Sequence, residues 1–367
     1  MRRRHILASY RFCKAIGLFA LARRLTRSDL RILCYHGFVL DDEDRFRDSL
    51  FVSSDFLDRR MSYLYNQGYN VLPLAQAVER LRDGTLPPNT VTITIDDGFH
   101  SVHAIARKVL KRYNFPATLY LTSYYFEKAT PIFRLAVDYM CWKSPRRTVD
   151  LSDLGITAFA EARALEFTPD IREWVSAQIY AHGAIELDEP GRVTLSQKLA
   201  ELLDVDYHHI AQSRMLSLVT PDEARDLQRS GIAIELHTHR HHFPDCPAAA
   251  HGELMDNRAA VEPVIGRRME HFCYPSGRFS EAHSAVLRSN AVKSATTCQS
   301  GLAHAGSDPL ALPRILDDNR VSAIEFEAEM SGFVELIRRW TRKLHRPAAI
   351  IPCLDLMGTH TEALVFI

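Results

Sequence analysis

Asp96 and Asp97 stand side by side after Thr-Val-Thr-Ile-Thr-Ile (residues 90–95) and before Gly98. The alternating Thr, Val and Ile favour a buried strand. Neighbouring side chains at a strand end point in different directions, so one carboxylate can bind a metal while the other takes a proton. The same letters also spell a strand closed by an Asp-Gly turn, and partners elsewhere must decide between the two. Residues 232–236 form a second strand pattern that opens into His237-Thr238-His239-Arg240-His241-His242. His237 and His241 can meet one metal if the strand runs into a turn or a first helical turn, and neutral imidazole suits zinc and its divalent neighbours. Asp97 can complete that set and leave open positions for water and substrate. A solvated His-rich loop is the competing reading. No His-Glu-x-x-His occurs, which argues against a zincin protease.

Two further strand ends carry groups able to do chemistry. Residues 30–36, Leu-Arg-Ile-Leu-Cys-Tyr-His, are closed by Gly37 and deliver His36 to the end of an early strand. Residues 270–274 are closed by Pro275-Ser276-Gly277, where the Tyr274 N–H is held in a direction suited to an oxyanion or to an ordinary turn. Residues 312–316 form another strand pattern, and it carries Arg314.

The elements between these points alternate. Leu57, Met61 and Leu64 keep helical spacing up to Gly68, and Val102, Ile105, Ala106, Val109, Leu110 and Tyr113 make an apolar stripe before a strand at 117–122. From about 124 to 218 the alternation lapses into largely helical sequence, with 131–142 and 161–203 read as helices, which marks an insertion. The rhythm resumes at the capping box Thr220-Pro221-Asp222-Glu223. A second capping box, Ser322 to Glu325, predicts one long helix to Leu344, followed by an apolar tail.

Length and composition fit a single α/β barrel with an insertion and terminal extensions: 367 residues, 45 basic and 45 acidic. Zero net charge gives no support for binding nucleic acid. Seven cysteines, scattered and odd in number, read as reduced thiols in a cytosolic setting rather than a disulfide framework. At the N-terminus, basic residues flank the apolar run 15–22 on both sides. That pattern fits a basic amphipathic helix, packed on the body or lying on a membrane surface, better than a cleaved signal ending at Ala20-Leu21-Ala22. The expected location is the cytoplasm, free or peripheral to the inner membrane face, in preference to export by a signal peptide. No run of 18 apolar residues is present to span a bilayer.

Thr-Ile-Asp-Asp-Gly, His-Thr-x-x-His and Phe-x-Tyr-Pro-x-Gly, in that order, resemble the motifs of the polysaccharide deacetylase family, carbohydrate esterase family 4. Leu-Cys-Tyr-His-Gly resembles the branch whose catalytic-acid motif precedes the Asp-Asp motif. The resemblance implies a distorted (β/α) barrel with fewer than eight regular strands over residues 28–320, with the helical insertion inside it. Residues 1–27 and 321–367 then form a basic segment and a helix with a tail. Carried onto this sequence, it implies Asp97, His237 and His241 as ligands of one divalent ion, zinc first, with cobalt, nickel or iron as alternatives. It further implies Asp96 as general base and His36 as the acid that protonates the leaving amine; the Tyr274 N–H can then help hold the oxyanion, and Arg314 can orient Asp96 or lower its pKa, or form an ordinary ion pair. An imidazole titrates in the range this acid role needs. Ile95 replaces a frequent Phe, His242 stands where Pro is common, and His360 is a rival acid. The implied substrate is an N-acetylhexosamine in a surface polysaccharide or its lipid-linked precursor. A deformylase or other amide hydrolase, and a silent glycan-binding domain, are the alternatives.

Overall fold

A computed structural model describes residues 2–344. Seven strands form its centre: β1 (Arg31–Tyr35), β2 (Thr90–Ile95), β3 (Ala117–Leu121), β4 (Ile232–Leu236), β5 (His271–Cys273), β6 (Ser294–Ser300) and β7 (Leu312–Leu316). All pair in parallel with their neighbours in chain order, and β1 pairs with both β7 and β2, which closes the ring. Every residue of β1, β2 and β3 is buried, as a parallel barrel covered by helices requires. The expected barrel with fewer than eight regular strands is therefore present. Its irregularities are a short outer strand, Asn70–Val71, paired with the start of β2, and a register shift between β6 and β7. Helix Leu74–Arg82 fills the lower end, with Leu74 clustered with Tyr120 and Cys273, and Ala77 and Leu81 with Leu30, Ile32 and Leu312.

Between β3 and β4, besides helix Pro221–Arg229, lie four helices, Phe133–Lys143, Pro169–Ile185, Glu189–Leu203 and Tyr207–Ser213, built round a core of their own that includes Val137, Met140, Phe159, Val175, Ile179 and Leu199. The helical reading of 161–203 needs two corrections. Leu165–Glu166 pairs antiparallel with Thr148–Val149, and the helix breaks before Glu189, where Asp188 caps the Gly191 N–H and Pro190 occupies the first turn.

The long C-terminal helix is also two helices, Ala323–Met330 and Phe333–Leu344. Gly332 separates them at φ +77°, and a Cβ there would stand 2.2 Å from Thr26 Oγ1. The break is therefore forced by the close approach of the N-terminal segment, which consists of helices α1 (Arg2–Ala15) and α2 (Leu18–Leu25) bent by 77° across Gly17. No single described helix is long and apolar enough to cross a membrane. His360 and the apolar tail lie outside the described residues.

Arg31 locks this junction. Fully buried, it donates to the carbonyls of Met330 (2.6 Å), Asp29 (3.0 Å) and Thr26 (3.2 Å) and to the Thr26 hydroxyl (2.8 Å). Arg31→Met removes this donor from all four; the Met330 carbonyl keeps the Tyr69 hydroxyl and the Thr26 carbonyl the Asp29 N–H, but the Asp29 carbonyl and Thr26 Oγ1 lose it, at a cost of about 2 kcal/mol or more. Thermal denaturation should show a clear fall in Tm, and an unchanged Tm would contradict this account of the junction.

Candidate active site

The groups singled out in the sequence converge at the C-terminal ends of the strands, the end where barrels of this kind hold their active sites. Asp96 and Asp97 follow β2. Asp97 is left-handed at φ +69° and Gly98 at φ +99°, so the chain turns sharply and sends the second carboxylate away from the first. Glycine is required at 98 because a Cβ would lie 2.2 Å from Leu121 Cδ1 on β3.

The histidine cluster after β4 is a turn rather than a helix, with Thr238 at φ +65° and His241 at φ +53°. Its shape is imposed from outside. The His239 carbonyl accepts from Tyr124 N (2.8 Å), Ser123 N (3.3 Å) and Thr122 Oγ1 (3.0 Å), and Arg240 N donates to Glu253 Oε2 (2.8 Å). Buried Asn257 accepts from His237 N (3.2 Å) and donates to the Leu121 carbonyl and Ser123 Oγ, both at 2.9 Å. The result brings His237 Nε2 to 3.3 Å and His241 Nε2 to 3.2 Å from one oxygen, Asp97 Oδ1.

That arrangement can be tested for metal binding by its donors alone. His237 Nδ1 lies 2.8 Å from the Cys273 carbonyl, which can only accept, so Nδ1 carries the hydrogen. The Nε2 lone pair of a neutral His237 then faces a carboxylate oxygen, two acceptors that need a cation between them. His241 Nδ1 is buried without a partner among the described residues. The Asp97, His237 and His241 ligand atoms lie within 4.8 Å of one another, and a carboxylate with two imidazoles suits a divalent ion of the zinc type. His242 does not join this group.

Asp96 has a different partner. Arg314, wholly buried on β7, meets it with both arms, at 2.8 Å to Oδ1 and 2.7 Å to Oδ2. Arg314 is itself braced by the Thr297 carbonyl (2.8 Å) and Thr94 Oγ1 (3.3 Å). Burial pushes the Asp96 carboxyl up, but the Arg314 charge and its hydrogen bonds outweigh that and bring the pKa down to about 2. His36, partly open to solvent, places Nε2 3.8 Å from Asp96 Oδ2. The site thus brings together His36, Asp96, Asp97, His237, His241 and Arg314.

Tyr274 is the exception. Its N–H donates to the Thr296 carbonyl at 3.1 Å, as the parallel pairing of β5 and β6 demands, and its hydroxyl donates to the Leu310 carbonyl at 2.9 Å. It is not free to hold an oxyanion. Sequence reasoning also missed two thiols beside Asp96, Cys34 Sγ at 3.6 Å and Cys273 Sγ at 3.4 Å from its Oδ2. The period of a strand was a usable signal for the first, since Cys34 and His36 are two residues apart and face the same side.

Hydrolysis that needs ionised Asp96 is lost as pH falls through its pKa, so Arg314 sets how far into acid the activity survives. Arg314→Met leaves burial unopposed, raises the Asp96 pKa and moves the acid limb of the kcat/KM profile upward by one pH unit or more (about 1.4 kcal/mol per unit). Arg314→Lys keeps the charge and should keep the limb near that of the parent. A profile unmoved in the folded Met variant would contradict this.

No protein of curated function matches the sequence. Among solved structures, the chain resembles the Streptococcus pyogenes deacetylase PplD, in complex with acetate, at TM-score 0.53 and 18% identity over 82% of this chain and 98% of that one. It resembles IcaB from Ammonifex degensii at TM-score 0.52 and 16% identity, over 83% and 97%. A de-N-acetylase from Aggregatibacter actinomycetemcomitans follows at 0.51 and 15%, over 82% and 99%. At these identities the likeness is one of fold. Residues 197–295, which hold His237, His241 and Tyr274, match the polysaccharide deacetylase family. That match covers one stretch of the chain, and the barrel around it has the fold of the solved deacetylases.

Proposed function

We propose that the protein is a metal-dependent hydrolase that removes N-acetyl groups from N-acetylhexosamine residues of a surface polysaccharide or of its lipid-linked precursor. The observation that carries this reading is the joining of two carboxylates with separate partners, Asp96 on Arg314 and Asp97 on the imidazoles of His237 and His241, within reach of the partly exposed His36. Amide hydrolysis needs a base for water, an acid for the amine and a charge for the carbonyl oxygen. The site has a group for each.

Asp97, His237 and His241 would hold a divalent ion, which would supply Lewis acidity at the carbonyl and acidify the attacking water. Asp96 takes the proton from that water. With a pKa near 2 it is a weak base toward bulk water, but it is ionised at every working pH and is held in one orientation by two bonds from Arg314. His36 sits beside the same carboxylate and is open to solvent, where it can pass a proton to the departing amine. An amine leaves poorly unless protonated, so this transfer falls late in the reaction. Removal of acetyl from nitrogen is supported by the family, and the fold is shared with proteins described as a deacetylase and a de-N-acetylase. Intact acid, base and ligand positions count against a silent binding domain.

A panel of N-acetylated and N-formylated glycans, assayed for acetate and formate, tests the reading. Acetate release by the parent is the expected result, with Asp96→Asn about 10² to 10⁴ slower. His36→Ala should lose kcat on amides and lose less on an ester, whose alkoxide leaves more readily. Formate release alone would move the assignment to a deformylase. An Asp96→Asn protein with full activity would place the base elsewhere.

A further inference from the structure

The formal net charge of zero conceals an uneven distribution. Residues 2–27 hold eight Lys and Arg and no Asp or Glu, and residues 333–344 hold four against one. The remainder of the chain is correspondingly acidic. These two basic segments come from opposite ends of the sequence and meet in the fold. The Phe333 ring packs on Phe19 at 5.2 Å and on Tyr10 at 6.1 Å, and the three cluster with Leu7, Val334, Ile324 and Ala328. On the inward side, Arg3 pairs with Glu325, Lys14 with Glu327, Arg338 with Glu329 and Arg339 with Asp29.

The outward side is different. Arg4, Arg11, Arg24 and Arg27 are exposed and have no carboxylate partner among the described residues. Among them stand Phe12 (65% exposed), Ile16, Leu21, Leu25 (61%), Ile337 and Trp340 (64%). These fall in pairs one turn apart along the three helices, Ile16 standing just past the end of α1, so each presents an apolar stripe. Single exposed apolar residues are ordinary on a soluble protein, but six on three adjoining helices, rimmed by guanidiniums, are not. A surface of this kind fits a partner that is apolar in depth and negative at its face.

We propose that this face, formed by α1, α2 and helix Phe333–Leu344, docks on the surface of an anionic lipid bilayer. The bend of 77° between α1 and α2 suits helices that lie along a surface rather than cross it. The orientation follows from the topology. Arg31, at the N-terminal end of β1, bonds to Met330 and Thr26, so α2 and the last helix flank the end of the barrel opposite the catalytic strand ends. Docked this way, the barrel stands between bilayer and metal site, a separation on the order of 20 Å from the strand rise alone. A glycan that reaches the site must extend from the membrane. This consequence for the substrate rests on the deacetylase reading, whereas the docking does not.

The experiment sediments the full chain with vesicles of phosphatidylglycerol and phosphatidylcholine, and with phosphatidylcholine alone, at low and high salt. Binding to the anionic vesicles only, weakened by salt, is the expected result. Trp340→Ser with Phe12→Ser, and Arg24→Glu with Arg27→Glu, should each weaken it by about tenfold or more. Hydrolysis of a soluble N-acetylated oligomer should be unchanged in both double variants. No binding by the parent, or equal binding by parent and variants, overturns the proposal. A dimer that these substitutions split, with no vesicle binding, assigns the face to a second copy and overturns it as well. If vesicle binding fails while the oligomer is still cleaved, the docking falls and the deacetylase reading stands. Vesicle binding without cleavage leaves the docking and removes its consequence for the substrate.

Discussion

Two adjacent carboxylates buried at one end of a closed barrel can both stay ionised only if each has its own positive partner. Asp96 has Arg314, which reaches it with both arms from β7. Asp97 faces two imidazoles instead, and the one whose tautomer is set by the Cys273 carbonyl turns a lone pair toward it. A divalent cation resolves that opposition. Much of the local geometry serves to keep the two charges apart: the left-handed Asp97, the missing Cβ at Gly98 against Leu121, and the folded histidine turn braced by Asn257 and Glu253.

Closure of the ring is what makes this allocation available. Asp96 follows β2, Arg314 lies on β7, and β1 between them pairs with both, so their contact exists only when the first and last strands have joined. The same closure puts His36, at the end of β1, next to the carboxylate that Arg314 holds. Asp96, its anchor Arg314 and His36 therefore come from three neighbouring strands. Asp97, His237 and His241 come from the ends of β2 and β4, with β3 between them and its end tied to the histidine turn through Thr122, Ser123 and Tyr124.

What was legible in the sequence was local. Strand ends, capping boxes and the spacing of His237 and His241 depend on neighbours in the chain, and they were read where they stand. The bidentate contact of Arg314 with Asp96 spans 218 residues, so an ordinary ion pair could not be set aside beforehand. The Tyr274 N–H was assigned wrongly because its acceptor, Thr296, is chosen by the pairing of β5 with β6. The break at Gly332 depends on how closely Thr26 approaches, and the thiols of Cys34 and Cys273 gain a role only inside the closed barrel. The total charge misled in another way, since a sum carries no information about which segments meet.

The cation at Asp97 is the centre of this account, and titration of metal-stripped protein with zinc, followed by calorimetry, tests it most directly. One ion per chain is predicted for the parent and for Asp96→Asn, and none at the same concentrations for Asp97→Ala or His237→Ala. Unchanged stoichiometry and affinity in both of the latter would contradict the account.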